Sequence, residues 1–400
     1  MINPRVLMLP KWYPHRYDDQ EGDFVARHVA AIAPHVRVAV VCATVARGPL
    51  PTLTVCEADH SQGFPTWRYY YRARPTGFGP LDKLLKLLLY YWCAGQGYRQ
   101  AIRHWGEPPQ LTHVHVLLRT GLLAWWWRMR HGIPYLLTEH WTLYLPARAH
   151  QLSWVRSWLT RRVVAGAAAL HTVSDNLRLA MQALGIQNRR TVVIPNVVDT
   201  VLFRPGLATE TLLHKPLLHV AAFNEAAKNL TGILRVVQRL RQEQPTLTLR
   251  IAGYGPDEAA VRQAAAELGL LDGTVHFLGK LSPAAVAHEM QQAAALVLFS
   301  NYENLPCVLV EAQASGLPAV ATRVGGVPEL LPSDGRYGLL LPPGDEDALA
   351  EALRTILGPT MAFDTAGMRA RAVAQFSYPA VGQQFAALYT ELLGSTPPTP

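Results

Sequence analysis

Short apolar runs of strand length alternate with helical stretches along the whole 400-residue chain. Neighbouring parallel strands must be joined by a crossover, usually a helix, so this rhythm predicts parallel sheets covered by helices on both faces. The predicted strands lie at 6–9, 36–42, 111–116, 135–138, 169–172, 192–194, 217–222, 248–252, 275–278, 296–299 and 319–322. The expected fold class is therefore α/β, with doubly wound sheets.

The length of the chain indicates two domains, because 400 residues exceed what one hydrophobic core usually supports. The pair Pro205 and Gly206, and the restart of the strand and helix pattern after Lys215, indicate the boundary. We predict an N-terminal domain at 1–205, a C-terminal domain at 206–376, and a terminal segment at 377–400 with a helix at 379–393. Two such domains in tandem are expected to bind ligands at the carboxyl ends of their strands, facing a shared cleft.

The segment 300–331, SNYENLPCVLVEAQASGLPAVATRVGGVPELL, combines two carboxylates with a helix start and a Gly-Gly pair. Pro306 suits the first position of a helix, and Gly316 followed by Pro318 ends it, so a helix is predicted at 306–315. Its first N–H groups and the positive end of its dipole favour an anion such as a diphosphate. Glu303 precedes the helix and Glu311 lies inside it, and their oxygens can accept hydrogen bonds from hydroxyl groups. This grouping favours a nucleotide-linked sugar as the ligand.

Other polar residues follow predicted strands. Lys228 follows the strand at 217–222 and opens a helix, so its ammonium group can contact the same diphosphate. His140 follows the strand at 135–138, its imidazole can bond a sugar hydroxyl, and its ordinary pKa predicts titration near neutral pH. His113 and His115 share one face of a strand, but no third ligand is spaced to complete a site, so no metal is predicted.

Several motifs occur in an order and spacing that together resemble glycosyltransferase family 4, the large retaining group of GT-B enzymes. They are HTVSDNL at 171–177, VVIPNVVDTVLFRP at 192–205, KNLTGIL at 228–234, IAGYGP at 251–256, the E-x7-E pair with its Gly-Gly segment, and the terminal FSYPAVGQQFAALYTELL. The resemblance implies two Rossmann-like domains facing a cleft, with the last helix crossing back to the first domain. It also implies retaining transfer of a sugar from a nucleoside diphosphate sugar to an acceptor hydroxyl, without a metal or other cofactor.

The resemblance also implies roles for individual residues. Glu311 would bind the ribose hydroxyls, and Glu303 would bind the transferred sugar. Lys228 would contact the diphosphate and stabilise the leaving group, and His140 would lie near the donor sugar. Asn304, Leu305, Cys307 and Val308, which follow Glu303 in the sequence, would also bind the substrate. Gly253 and Gly255 would lie at the nucleotide, Gly325 and Gly326 at the diphosphate, and Gly22 near the donor and the acceptor.

One position departs from the family pattern, because the family usually has an arginine five residues before the lysine and this chain has Phe223. Two other functions also stay open. An isomerase of the same architecture, such as a UDP-sugar 2-epimerase, would need acid and base residues on both faces of the sugar. A non-catalytic subunit that binds a nucleotide sugar and supports another transferase would be compatible with the missing arginine.

The net charge is +8, and many cations of the first half lie beside bulky aromatic residues, as in LLAWWWRMRH and SWVRSWLTRR. One interpretation is peripheral docking at the inner face of a membrane, where the enzyme would meet a lipid-linked acceptor. The alternative is that the helices at 81–92 and 125–127 are ordinary core helices. No nucleic-acid motif accompanies the charge, so nucleic acid is not an expected partner.

The four cysteines form no CxxC pair, which indicates a reducing compartment. The first residues contain no long apolar segment or small-residue cleavage site, and the longest apolar runs are too short or too charged to span a bilayer. We therefore expect a cytoplasmic enzyme. The family resemblance, with the basic and aromatic first half, implies a saccharide or a lipid-linked saccharide as acceptor, in cell-envelope or exopolysaccharide assembly.

Overall fold

The structure, a computed structural model, describes residues 3–206, 215–358 and 362–394. The described residues form two compact units. The first contains the residues up to Val173, Arg178–Val197 and the residues from Tyr378 onward, and the second contains Ser174–Leu177 and Val198–Ser377. The main division therefore follows Val197, whereas the sequence placed the boundary after Pro205. The last residues of the predicted terminal segment, 395–400, lie outside the described residues.

Each unit is built on one sheet. The first sheet contains β1 (Arg5–Pro10), β2 (Arg37–Val45), β3 (Thr54–Asp59), β4 (Thr66–Tyr71), β5 (Leu111–His115), β6 (Tyr135–Glu139), β7 (Ala169–Thr172) and β8 (Thr191–Val193), and the second contains β9 (Leu217–Val220), β10 (Leu249–Ala252), β11 (Val275–Gly279), β12 (Ala295–Leu298), β13 (Ala319–Thr322) and β14 (Gly338–Leu341). The first sheet has the order β3-β4-β2-β1-β5-β6-β7-β8, and the second has the order β11-β10-β9-β12-β13-β14. Central strands such as β7, β12 and β13 are buried along their whole length, as expected when helices cover both faces. The predicted α/β class is confirmed.

Helices connect the strands in chain order. They are α1 (Asp23–Ile32), α2 (Gly79–Trp105), α3 (Thr120–His131), a 3-10 turn at Thr142–Tyr144, α4 (Pro146–Ala149), α5 (Trp154–Gly166), α6 (Asp175–Ala183), α7 (Glu225–Lys228), α8 (Leu230–Arg241), α9 (Glu258–Glu267), α10 (Pro283–Gln292), α11 (Cys307–Ala314), α12 (Val327–Leu330), α13 (Glu346–Leu357), α14 (Thr365–Phe376) and α15 (Tyr378–Gly394). Within the described ranges, none of these helices combines the length and the apolar character needed to cross a bilayer.

Three strands fall outside the predicted set, namely β3, β4 and β14. β3 is an edge strand whose side chains are only partly buried or exposed, so its sequence lacks an apolar run. It pairs antiparallel with β4, where Arg68 binds Asp59 across the two strands at 2.9 Å. The first sheet is therefore mixed, and the expectation of wholly parallel sheets is wrong at this edge. β14 is a four-residue edge strand, Gly338–Leu341, whose run of three leucines was not predicted as a strand.

The terminal helix α15 packs against α1 within the first unit, which confirms that the end of the chain returns to the first domain. Phe385 and Tyr389 of α15 belong to the same apolar core as Val29 of α1. A Cβ atom added at Gly382 would lie 2.2 Å from the carbonyl oxygen of Ala31, so the two helix backbones approach closely at this glycine.

A chain of hydrogen bonds fixes α15 to the sheet of the first unit. His171 donates from Nε2 to the carbonyl oxygen of Ile194 at 2.7 Å, because a carbonyl can only accept. Its Nδ1 therefore accepts from the hydroxyl group of Thr138 at 2.8 Å. The Thr138 oxygen accepts from Nε2 of His113, and Nδ1 of His113 accepts from the hydroxyl group of Tyr389, both at 2.6 Å. Each imidazole in this chain is neutral.

These buried histidines predict a loss of stability in mild acid. Burial lowers the pKa of His171 to about 3 and that of His28 to about 4, and it lowers the pKa of His113 well below the usual value. Above about pH 6.5 the three are neutral in both the folded and the unfolded chain, so they add no pH dependence. Below that pH the unfolded chain binds protons that the folded chain does not bind. We expect each of them to lower the free energy of unfolding by about 1.4 kcal/mol per pH unit between pH 6.5 and about 4, as measured by urea denaturation.

A matched pair of variants tests this prediction. The amide of His28→Gln can still donate to the carbonyl oxygen of Pro195, which Nε2 of His28 meets at 3.0 Å, but it does not titrate. This variant should reduce the pH slope by about 1.4 kcal/mol per pH unit, and His276→Gln, at an exposed site, is measured beside it as the matched substitution. An unchanged slope in His28→Gln would mean that His28 takes up its proton in the folded chain.

Candidate functional site

The second sheet reverses its direction of growth between β9 and β12, because β10 and β11 lie on one side of β9 and β13 and β14 lie on the other side of β12. In doubly wound sheets, ligands bind outside the carboxyl ends of the strands at such a point. The segment after β9 contains Lys228, and the segment after β12 contains Glu303. The topology therefore brings together two residues that lie 75 positions apart.

Lys228 and Glu303 form an ion pair at this point. The ammonium Nζ of Lys228 donates to Oε1 of Glu303 at 2.5 Å, and the hydroxyl group of Ser300 donates to the same oxygen at 2.7 Å. Only 18% of the lysine side chain and 9% of the glutamate side chain are exposed. The pair is thus shielded from water on most sides, where opposite charges interact more strongly than at an open surface.

The short helix α7 sets the position of Lys228. Asn224 caps its start by accepting from the N–H of Ala227, and Asn229 ends it in the left-handed conformation with φ of 48°. Asparagine tolerates this conformation better than most residues. The N–H of Asn301 donates to the carbonyl oxygen of Ala227 at 2.8 Å, which ties α7 to the segment that carries Glu303.

Helix α11 begins at Cys307 with Pro306 as its N-cap, one residue later than predicted, and it ends at Ala314. Proline cannot donate a hydrogen bond, so it is suited to this end of a helix. Glu311 lies in the middle of the helix and is only 7% exposed. Leu305 is buried just before the helix, and Cys307 and Val308 form its partly buried first turn.

Gly325 and Gly326 pack directly on the backbone of Glu303 and Asn304. Gly325 has φ of 53°, and a Cβ atom there would lie 1.8 Å from the carbonyl oxygen of Glu303. The N–H of Gly326 donates to the carbonyl oxygen of Asn304 at 2.7 Å. The Gly-Gly pair therefore has a structural reason in this chain, since any side chain at Gly325 would push the two loops apart.

Two residues of the second unit that were not predicted as site residues hold this region together. The hydroxyl group of Ser174 donates to Oδ1 of Asn304 at 2.8 Å. The carboxylate of Glu329 accepts from the N–H groups of Asp175 and Asn176 at 2.9 and 2.8 Å. Both residues lie in motifs that were quoted for the resemblance, and this membership was the only signal in the sequence that pointed to them.

Phe223 is fully buried in the core of the second unit, where its ring lies 6.2 Å from that of Phe277. An apolar core residue thus stands where the family pattern has a charged one. The loop with Gly253 and Gly255 packs on this segment, and a Cβ atom at Gly255 would lie 2.4 Å from the carbonyl oxygen of Phe223. The N–H of Phe223 in turn donates to the carbonyl oxygen of Tyr254 at 2.9 Å.

In the first unit, His140 follows β6 and is 9% exposed. The carboxylate of Glu139 accepts from three backbone N–H groups, those of Leu117, His140 and Trp141, at 2.8 to 3.1 Å. Burial raises the pKa of this carboxyl group, although the three hydrogen bonds oppose the shift. Glu139 thereby fixes the backbone on which His140 is mounted.

His28, His115 and His140 lie together, with ring centroids 5.4 to 6.2 Å apart and one nitrogen of each within 4.8 Å of the others. Only His115 of the H-x-H pair belongs to this group, because the other two residues come from distant segments, and the expectation that no metal is bound stays a prediction. Burial, with repulsion from neighbouring histidines, lowers the pKa of His115 and His140 well below the usual value. The expectation that His140 titrates near neutral pH is therefore wrong, since its burial could not be seen in the sequence.

The first unit has its own reversal point between β1 and β5. Gly22 begins α1 with φ of 73°, and a Cβ atom there would lie 2.4 Å from the carbonyl group of Trp12. The ammonium of Lys11 lies 4.0 Å from the ring centre of Trp141, and burial lowers its pKa. Val116 just after β5 has φ of 68°, an unusual conformation for a β-branched residue and one that often marks functional sites.

Two family models match the chain. "Glycosyl transferase 4-like domain" matches residues 22–197, and "Glycosyl transferases group 1" matches residues 214–358. The MMP alpha-(1->4)-mannosyltransferase of Mycolicibacterium hassiacum is 30% identical over 71% of this chain and 71% of its own length. The alpha-maltose-1-phosphate synthase of Mycolicibacterium smegmatis is 28% identical over 72% of this chain and 80% of its own length.

Solved structures agree with this assignment at the level of the fold. Sucrose-phosphate synthase from Thermosynechococcus elongatus matches with a TM-score of 0.76 at 22% identity, over 98% of this chain and 100% of that one. HepE from Anabaena, solved with UDP-glucose, matches with a TM-score of 0.72 at 18% identity, over 97% and 99%. The expected GT-B fold is confirmed. The chain belongs to the group 1 glycosyltransferases, enzymes that transfer a sugar from a nucleotide sugar.

Proposed function

We propose that the chain is a retaining hexosyltransferase that moves a sugar from a nucleoside diphosphate sugar to a saccharide or lipid-linked acceptor, in cell-envelope or exopolysaccharide assembly. The observation that carries this proposal is the ion pair of Lys228 and Glu303 beside the start of α11. An ammonium group and a helix N-terminus suit a diphosphate, and a carboxylate suits the sugar hydroxyls next to it.

In the proposed reaction, the bond between the anomeric carbon and the diphosphate oxygen breaks. A bond from the same carbon to the acceptor oxygen forms on the same face of the sugar, and the acceptor proton passes to the departing phosphate oxygen. Lys228 and the N–H groups of Leu305, Cys307 and Val308 stabilise the charge that develops on the diphosphate. No side-chain nucleophile and no metal take part, and the donor is a substrate with no additional cofactor.

The other site residues bind the donor in this proposal. Glu311 accepts from the ribose hydroxyls, Glu303 and Asn304 accept from the transferred sugar, and the glycine loops at 253–255 and 325–326 border the nucleotide and the diphosphate. His140 contacts the sugar as a neutral imidazole, which can both donate and accept a hydrogen bond. The absence of the family arginine is compatible with transfer because Lys228 and backbone N–H groups provide the positive potential.

We also propose that the first unit contacts an anionic membrane surface. Helices α2, α3 and α5 together contain nine lysine and arginine residues and one carboxylate, Asp82. The same helices expose large apolar side chains, namely Leu81, Leu84, Leu88, Trp92, Trp126, Met129, Trp154 and Trp158. Cations beside exposed tryptophan and leucine suit the boundary between head groups and acyl chains. The apolar runs are therefore only partly core, with Trp127 buried and Trp126 half exposed.

The donor specificity can be tested first, by a thermal-shift screen of UDP, GDP and ADP and of their sugars. A ligand that binds only the folded chain raises the melting temperature, by a few degrees at a concentration about 100 times its Kd. We expect one nucleotide and its sugar to raise it. A chain that no nucleoside diphosphate or its sugar stabilises would contradict the proposal.

Single variants then separate donor binding from transfer. Glu311→Ala removes charge-assisted hydrogen bonds to the donor, so its donor KM should rise by about 10- to 100-fold. Lys228→Ala removes stabilisation of the leaving group, so its kcat should fall by about 100- to 1,000-fold, with partial recovery in Lys228→Arg. Assays are run in EDTA, since the proposed reaction needs no metal.

Lys215→Ala and Glu267→Ala in the same unit are matched controls and should behave as wild type. Lys228→Ala also leaves the Glu303 carboxylate without its ion-pair partner at a site of low exposure. Melting temperatures are therefore measured on the same preparations. Wild-type kinetics in a folded Lys228→Ala variant would exclude the proposed role of this lysine.

Cosedimentation with vesicles tests the membrane contact. The wild-type chain should bind vesicles that contain phosphatidylglycerol, bind less at high salt, and bind weakly to phosphatidylcholine alone. The double variant Leu84→Glu with Leu88→Glu should weaken binding by about tenfold or more, because it places charge where apolar side chains meet the lipid. Leu271→Glu, at an exposed leucine of the second unit, should bind as wild type. Equal binding of both variants would place the contact elsewhere.

A further inference from the structure

Helices α2 and α3 of the first unit lie side by side and run in the same direction. Arg119, just before α3, lies 6.0 Å from the ring of Tyr90. Two turns later in α2, Tyr98 stacks on Trp127 at 4.6 Å and lies 6.0 Å from His131 at the end of α3. The helices enclose a groove of about 680 Å³. This volume falls in the range of roughly 300–1,000 Å³ that is usual for small-ligand sites.

The groove has apolar walls and one cationic end. Tyr98, Leu123 and Trp127 are buried in its wall, and Trp92 and Trp126 are each 51% exposed. Arg99 and His131 also line the groove, and both lie towards the carboxyl ends of their helices. An elongated ligand with a hydrocarbon chain and an anionic end would match this distribution.

An apolar stripe on α2 leads into the groove. Leu81, Leu84, Leu88 and Trp92 are exposed and spaced three or four residues apart, so they lie along one face of the helix. Gly95 and Arg99 continue this spacing and line the groove. The face from Leu81 to Arg99 is about 27 Å long, which is close to the hydrocarbon thickness of a bilayer.

We propose that this groove binds an acyl chain of an anionic phospholipid, with the lipid phosphate at Arg99 and His131. The proposal rests on the membrane contact proposed above and adds to it a site for a single lipid molecule. The guanidinium group of Arg99 pairs with a phosphate in a bidentate manner, and the imidazole of His131 donates a further hydrogen bond. The acyl chain lies between the aromatic side chains and extends towards the exposed leucines of α2.

The charge on this face decides against a second copy of the chain as the occupant. The two helices that form the groove, α2 and α3, contain six lysine and arginine residues and one carboxylate, so a symmetric contact through them would bring like charges together. An anionic lipid meets the same cations with opposite charge. The two half-exposed tryptophans that line the groove are also residues that favour the membrane interface.

Gly95 offers a way to fill the groove without disturbing the fold. A Cβ atom at this position would meet no atom within 4 Å, and Gly95 lies inside a helix where leucine is more favourable than glycine. Gly95→Leu should therefore fold normally while its side chain occupies the space of the acyl chain. Gly394→Leu, at an exposed glycine of α15 that also has no atom within 4 Å of a Cβ, is the matched control.

The test uses dihexanoylphosphatidylglycerol below its critical micelle concentration, with tryptophan fluorescence and calorimetry as readouts. We expect saturable binding to the wild-type chain and to Gly394→Leu, and binding at least about tenfold weaker to Gly95→Leu. Dihexanoylphosphatidylcholine and glycerol 3-phosphate, which lack the net charge or the chains, should each bind about tenfold more weakly than the anionic lipid. Arg99→Gln should remove the preference for the anionic lipid.

Other results would overturn the proposal. Equal lipid binding by Gly95→Leu and Gly394→Leu would place the lipid outside the groove. Vesicle binding without binding of the soluble lipid would indicate contact with the bilayer surface alone. A concentration-dependent dimer that Gly95→Leu disrupts in sedimentation velocity would make the groove a self-association site. Donor binding, measured by thermal shift on the same variants, should be unchanged, so failure of the lipid site and failure of the transferase assignment are distinguishable.

Discussion

The reversal of strand order between β9 and β12 is the constraint on which the candidate site depends. Parallel strands on the two sides of this point send their following segments to the same edge of the sheet, so Lys228 and Glu303 meet although they are far apart in the chain. Their low exposure strengthens the attraction between them. The surrounding parts then serve to hold this pair, through the contact of α7 with the segment at 300–304 and the packing of Gly325 on the same backbone.

The first unit uses a different chemistry at the corresponding place. Buried neutral histidines occupy the sheet and α1, beside the charged groups of Lys11 and Glu139. Imidazole rings that each donate once and accept once can connect distant strands without placing a charge in the core. The hydrogen-bond chain from Ile194 to Tyr389 does this, and it anchors α15 in the first unit. The same burial makes His140 a neutral hydrogen-bonding group instead of a titrating one.

The outer helices of the first unit show how the same residues can stabilise the fold and leave a surface for binding. In the run of three tryptophans on α3, Trp127 is buried against Tyr98 while Trp126 is half exposed. A helix turns by about 100° per residue, so consecutive aromatic residues cannot all face the sheet. The aromatic runs of these helices therefore contain both core residues and exposed residues, and the membrane contact of the exposed ones stays a proposal.

The sequence by itself determined the class of fold, the family and most strands, because apolar periodicity, turn residues and ordered motifs are local signals. It also pointed to Lys228 and Glu303 as candidates, since each follows a predicted strand. It missed the edge strand β3, which lacks an apolar run, as well as β4 and β14, and it missed Ser174 and Glu329, whose partners are distant in the chain. Only the tertiary structure decided the ion pair, the grouping of His28, His115 and His140, and the burial of Phe223. These depend on which segments become neighbours and on how much water each side chain retains, and both are properties of the folded chain.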